Sequence, residues 1–234
     1  MTFSYHSAIG QTHSKLFTGL VLLRNVPADL DFTDAIMRLQ GDALRRLADS
    51  PEADVPAIRA WRAAFSTMGL KPTQYRCASE ALLRRLRKDG ALPKLNPVVD
   101  ICNATSVAYA VPVAAFDLER IVGSLTVRPA TGDETYLTFG GDTEQPEPGE
   151  IIFADDSGAA HARRWTNRQS AASAISGQTR TALLVIEGLH DMAEHEVLAA
   201  RDTLSGMFRA AGAAVHTGSL RGGDGHFATD GDRA

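Results

Sequence analysis

The 234 residues carry 44% hydrophobic and 22% charged side chains and a net charge of −4, ordinary values for a chain that folds around a sizeable core. That balance excludes a basic nucleic-acid coat, so any contact with RNA or DNA needs a local patch. No apolar run approaches the roughly 18 residues that span a membrane. The two cysteines, Cys77 and Cys102, have neither zinc-ligand nor Cys-x-x-Cys spacing.

The opening MTFSYHSAIG has no basic region followed by an apolar run, so no secretion signal and a cytoplasmic location are expected. TGLVLLRNVP (18–27) reads as an apolar strand. A helix follows with Thr33 at its cap and Ile36, Leu39, Ala43, Leu44 and Leu47 at helical spacing. A second runs from about Pro56 with Ile58, Trp61, Phe65 and Met68 on one face, and Gly69 stops it. Ser79 is placed to cap a third, EALLRRLRKDG, ended by Gly90. NPVVDICNATS starts a fourth, reaching about Tyr109, with Asn96 as cap and Pro97 at the first helical position. Its polar residues Asn96, Asp100 and Asn103 share one narrow face of an otherwise apolar helix. SLTVRP, TYLTFGG, EIIFADD, AHARRWT and RTALLVIEG read as strands, and a last helix covers roughly Glu194–Ala211. Helices first and strands later argue for an α+β fold. Residues 1–216 are read as one domain and 217–234, Gly- and Asp-rich, as a disordered tail.

Several stretches carry chemistry-bearing side chains. Asp155-Asp156 beside Ser-Gly reads as a turn rather than a carboxylate pair. Lys71, Arg76, Arg84, Arg85, Arg87, Lys88 and Lys94 form a basic cluster that meets either solvent or a phosphate backbone. In HARRWTNRQS, Arg164, Arg168 and Gln169 flank Trp165. Arginine forks recognise carboxylate or phosphate and an indole stacks on bases, whereas the plainer reading is an edge strand with one buried indole. Glu187 ends a near-continuous apolar run, where a carboxylate is either exposed at the strand's end or buried beside a donor.

AWRAAFSTMGLKPTQYRCASEALLRRL, LPKLNPVVDICNATS, VPVAAFDLERIVGSLTVRPA, GGD, PGEIIFADD, ARRWTNRQS and TRTALLVIEGL, in that order, resemble the B3/B4 domain of the bacterial phenylalanyl-tRNA synthetase β subunit in its free-standing form. The resemblance implies a three-layer α+β unit, a β-sandwich of unusual topology flanked by helices. It also implies a trans-acting editing deacylase for a mischarged tRNA, bound by its aminoacylated 3′ end, with no DNA or membrane partner. Asn103 and Glu187 fall on the family's pocket asparagine and carboxylate and take the catalytic roles. Asp100 and Phe116, the latter with Asp117, match neighbouring pocket positions. Arg164, Trp165, Arg168 and Gln169 would hold the terminal nucleotide, and Lys71, Arg76, Arg84, Arg85, Lys88 and Lys94 the RNA backbone. The family's histidine falls on Ala114, so imidazole chemistry is lost there. Ester hydrolysis requires a positioned water and oxyanion stabilisation, hence no metal or organic cofactor. The three motifs of a class II synthetase core are absent, so ligase activity is not expected. A binding module that kept the pocket without catalysis is the alternative.

Overall fold

Two near-continuous apolar runs become neighbouring central strands, because a strand covered on both faces has no polar side to alternate with. In the computed structural model, which describes residues 1–229, they are β2 (Phe17–Arg24) and β10 (Ala182–Gly188). They pair antiparallel, with Val21 opposite Leu184 and Thr18 opposite Glu187. β3 (Val113–Asp117) and β11 (Ala214–Arg221) flank them in the order β11-β2-β10-β3.

Side-chain parity then sets the layers. Val21, Leu23, Leu184 and Ile186 pack with Ile101, Val197 and Phe208 from the helices α5 (Pro97–Tyr109) and α6 (Ala193–Ala210). Leu20, Leu22, Leu183 and Val185 pack on the other side with Phe3, Val127 and Phe153 of a second sheet. Glu187, two residues beyond Val185, falls on this inter-sheet side. The second sheet has the order β12-β1-β4-β7-β8-β5-β6, with β9 paired to β8. Its strands are β1 (Thr2–Tyr5), β4 (Leu125–Pro129), β5 (Thr135–Leu137), β6 (Thr143–Glu144), β7 (Ile151–Asp155), β8 (Ala159–Arg163), β9 (Arg168–Gln169) and β12 (His226–Ala228). The remaining helices are α1 (Ser7–Thr12), α2 (Thr33–Asp49), α3 (Pro56–Thr67) and α4 (Ala78–Asp89). The architecture is therefore α+β, a β-sandwich flanked by helices. No described helix is long and apolar enough to cross a membrane.

Two caps differ from expectation. Thr33 lies inside α2, and its N–H donates to Asp31 Oδ1 at 2.9 Å, so the aspartate two residues earlier does the capping. Ser79 likewise lies inside α4 and is fully buried, while Cys77 occupies the cap position. Asn96 does cap α5, its side chain accepting from Val98 N–H at 3.0 Å. Asp155 and Asp156 form the expected turn: Asp155 accepts from the backbone of Val122, Ser157 and Ala159, and Asp156 from Ser124.

The tail expectation is corrected over residues 217–229. Low complexity suggested disorder, but β11 runs to Arg221, and β12 pairs antiparallel with β1, Phe227 opposite Phe3. The glycines serve contact. Gly218 leaves room for the Phe227 ring, which a Cβ there would meet at 2.5 Å. Thr229 N–H donates to Met1 O at 2.9 Å. Residues 230–234 lie outside the described part of the chain. A Cβ on Gly10 would meet the Gly222 carbonyl oxygen at 2.0 Å, and a backbone atom cannot swing away as a side chain does. Gly10→Ala is therefore expected to lower stability by about 1–3 kcal/mol, seen as a fall in Tm.

Candidate functional site

Glu187 ends β10 on the inter-sheet face, 1% exposed. Two donors reach its Oε1: the Tyr5 hydroxyl at 2.7 Å and Trp165 Nε1 at 2.7 Å. Tyr5 is also 2.8 Å from Thr18 Oγ1, the residue opposite Glu187 in the sheet. No described residue hydrogen-bonds to Oε2, and Glu187 lines a small cleft of about 60 Å³, room for a few waters. Burial pushes the Glu187 carboxyl up to about 7, against the two hydrogen bonds, which act to lower it. Burial and the neighbouring carboxylate raise the Tyr5 phenol well above its ordinary value, so it stays a donor.

The cleft has apolar walls from Pro112, Val113, Ala114 and Phe153, and a polar rim of Thr166, Asn167, Arg168 and Gln169. Thr166 Oγ1 is buried without a partner, which leaves one uncommitted hydroxyl at the cleft. Gln169 is anchored by its Nε2, which donates to Ala115 O at 2.5 Å. The rim is a turn rather than a continuing strand: β8 stops at Arg163, and residues 164–167 fold back to β9. Arg164 and Trp165 both take left-handed φ, +47° and +58°, costly for residues with a Cβ. Arg164 N–H to Glu150 Oε1 at 3.0 Å and Trp165 N–H to Ile151 O at 2.6 Å hold that conformation. The consequence is a Trp165 ring buried completely, edge-on to Trp61 at 5.0 Å and His13 at 4.9 Å.

The expected site residues divide. Glu187, Trp165, Arg168 and Gln169 line the cleft together, with Ala114 in its wall. Asn103 does not join them. It sits half-buried on α5, its side chain makes no hydrogen bond to a described residue, and it is not among the lining residues of the cleft. The physical reason is that α5 ends at Ala110, in left-handed conformation, and the following Pro112–Ala114, not α5, forms the wall. Asp100 is on the same stripe and accepts from Leu95 N–H at 2.9 Å, a helix-start anchor that is not among the lining residues of the Glu187 cleft. Phe116 is fully buried in the core, its ring tilted against that of Phe153 at 5.2 Å. Asp117 accepts from Thr179 Oγ1 at 2.7 Å and Glu119 N–H at 3.1 Å, a structural role. Arg164 lies over the Tyr75 ring at 4.7 Å, outside the lining. Trp165 donates its Nε1 to Glu187 and is fully buried against Trp61, so its indole is not free to stack on a base.

The basic cluster is largely committed. Arg84 and Arg87 each reach the buried Glu52 at 3.0 Å, Arg76 and Arg62 the fully buried Glu80 at 3.4 and 2.7 Å, and Arg85 reaches Asp89 at 3.5 Å. Lys71, Lys88 and Lys94 are exposed and make no ion pair among the described residues.

Sequence reasoning missed Tyr5, 182 positions from Glu187, because nothing local in MTFSYHS marks a carboxylate partner. It also missed a Ser-His-Asp array. Ser173 Oγ is 2.9 Å from His161 Nδ1, and His161 Nε2 is 3.3 Å from Asp155 Oδ2. Ser173 and His161 are fully buried and Asp155 is 6% exposed, so no substrate reaches the serine. Burial also holds the His161 ring below its ordinary pKa, in spite of Asp155. Among the described residues no cluster of His, Cys, Asp and Glu could hold a metal.

The family model of the B3/4 domain matches residues 60–205, more than half of the chain, and the chain belongs to that family. Its helices α4 and α5, both sandwich faces and the Glu187 cleft all fall within or against that span. Among known relatives, the phenylalanine–tRNA ligase β subunit of Nocardia farcinica is 34% identical over 134 residues, 56% of this chain and 15% of the subunit. That of Fusobacterium nucleatum is 37% identical over 78 residues, 33% of this chain and 10% of the subunit. The chain thus spans only a small part of the curated relatives it matches. An N-terminal fragment of the Pyrococcus horikoshii phenylalanyl-tRNA synthetase β-subunit overlays 92% of this chain and 50% of its own, with 10% identity and a TM-score of 0.46.

Proposed function

We propose that the chain is a tRNA-binding aminoacyl-ester hydrolase that clears a mischarged tRNA, with Glu187 as the base for the attacking water. The observation that carries this reading is the state of Glu187. It is buried, oriented by two donors on one oxygen, placed in the lining of a cleft, and titrates near neutral pH. A carboxylate in that state takes a proton from water as the water attacks the ester carbonyl, then returns it to the leaving ribose oxygen. The Thr166 hydroxyl, which lines the cleft without a partner among the described residues, is a donor for the developing oxyanion. Membership of the B3/4 family and likeness to phenylalanine–tRNA ligase β subunits support a tRNA substrate presented in the cytoplasm. Lys71, Lys88 and Lys94 are the cations free to meet its backbone, supplemented by Arg168, which is half-exposed although bonded to Glu144.

A second reading follows from Ala114. The resembled family's histidine position lies in the wall of this cleft as a methyl group, which suits a pocket that binds without turnover. A panel of mischarged tRNAs separates the two. The hydrolase reading expects at least one ester to be cleaved faster than in buffer, with Glu187→Gln at least about 10²-fold slower. Replacing Lys71, Lys88 and Lys94 together by alanine should raise KM and leave kcat unchanged. Saturable tRNA binding with no turnover selects the binding module.

A further inference from the structure

A second groove lies apart from the Glu187 cleft and shares none of its lining residues. It is about 410 Å³, and Lys15, Arg59, His190 and Asp191 line it, with Pro56 and Met192 at its edges. Pro56 begins α3 and Met192 is the cap residue of α6, and neither helix has a side-chain cap. The backbone N–H groups of Ala57, Ile58, Glu194 and His195 find no acceptor among the described residues. Two helix N-termini thus meet at one groove, each carrying positive partial charge.

His190 supplies the independent observation. Its side chain is 6% exposed, and Nε2 is held by Glu196 Oε2 at 2.9 Å. Nδ1, the other ring nitrogen, is buried without a partner among the described residues. A buried ring nitrogen without a partner is costly unless a ligand or water meets it.

The local charges leave a cation over. Asp191 is paired with Lys15 at 2.6 Å, Glu194 with Arg221 at 2.5 Å, and Glu196 with His190. Asp54 precedes α3 but is not among the lining residues. Arg59 is exposed and makes no ion pair among the described residues.

We propose that this groove binds a phosphate group, with Arg59 and Lys15 on its oxygens, His190 Nδ1 against one of them, and the amides of α3 and α6 behind. A phosphate has the matching chemistry: several acceptor oxygens for a planar guanidinium and for helix N-termini. The group belongs to a free phosphate or phosphomonoester, or to an RNA backbone. Neither source requires ester hydrolysis at Glu187, so the proposal stands or falls by itself.

The test is calorimetry together with the ring signals of His190 in NMR, titrating inorganic phosphate and, separately, a short oligoribonucleotide without a terminal phosphate. The expected result is saturable binding that moves the His190 signals. Binding should weaken at least about tenfold in Arg59→Glu. It should persist in Arg38→Glu, an exposed charge reversal on α2 outside the groove. A response to phosphate alone assigns the free or monoester source, and a response to the oligoribonucleotide assigns the backbone. Unmoved His190 signals with both ligands, or equal binding by Arg59→Glu, overturns the proposal.

Discussion

Trp165→Ala is expected to destabilise the fold by about 3–5 kcal/mol, the range for removing a large aromatic from a closed core. The indole is fully buried, packs edge-on against Trp61 and His13, and donates to Glu187. Alanine removes all three contacts at once and leaves Glu187 Oε1 with Tyr5 alone. Trp165→Phe separates packing from the hydrogen bond. It keeps most of the ring but withdraws a donor from a buried carboxylate, a cost of about 1–3 kcal/mol. Urea denaturation at one pH ranks the three proteins, and the expected order is wild type, then Phe, then Ala. If Ala were within about 1 kcal/mol of wild type, the indole would not be the strut described here.

The second large effect is on stability against pH. Burial raises the folded Glu187 carboxyl from 4.5 to about 7. Between those values the folded protein holds a proton that the unfolded chain has released. The contribution is therefore fully present below about pH 4.5 and is lost as pH rises through about 7, a total of about 3 kcal/mol. His13 and His161 act in the opposite sense, because burial lowers both, so their neutral forms favour the folded state as pH rises. The raw stability profile mixes these slopes. The difference between wild type and Glu187→Gln isolates the carboxyl: glutamine keeps an acceptor oxygen for Tyr5 and Trp165 and does not titrate. That difference should move in favour of the variant as pH rises from about 5 to 8.

Much of this molecule is legible from the order of its residues, for reasons that differ by element. The apolar runs in β2 and β10 mark doubly covered strands, and Asn96-Pro97 marks the start of α5, because both signals are local. The B3/4 resemblance assigned residues 60–190 to an α+β sandwich, and the family match covers 60–205. The tail was misread because glycine serves both disorder and close approach, and only the position of Phe227 over Gly218 tells them apart. The site was half legible. Glu187 ends a buried strand, and parity sends it inward. Its partners Tyr5 and Trp165 are set by sheet pairing across the whole chain and by a left-handed turn that no residue type announces. Asn103 is not among the lining residues of the cleft, because a helical stripe gives a face and not a destination. The basic cluster overstated free charge for a related reason. Glu52, far away in the sequence, neutralises Arg84 and Arg87.

Water activation by the Glu187 carboxylate at the cleft, as proposed above, is open to direct test. The most direct measurement is the single-turnover rate of deacylation against pH, for wild type and Glu187→Gln, on the mischarged tRNA that the panel selects. The expected wild-type rate rises with pH and levels off with a midpoint near the carboxyl's value of about 7, and Glu187→Gln gives a slow, flat profile. An unchanged rate and midpoint in Glu187→Gln would contradict water activation by Glu187.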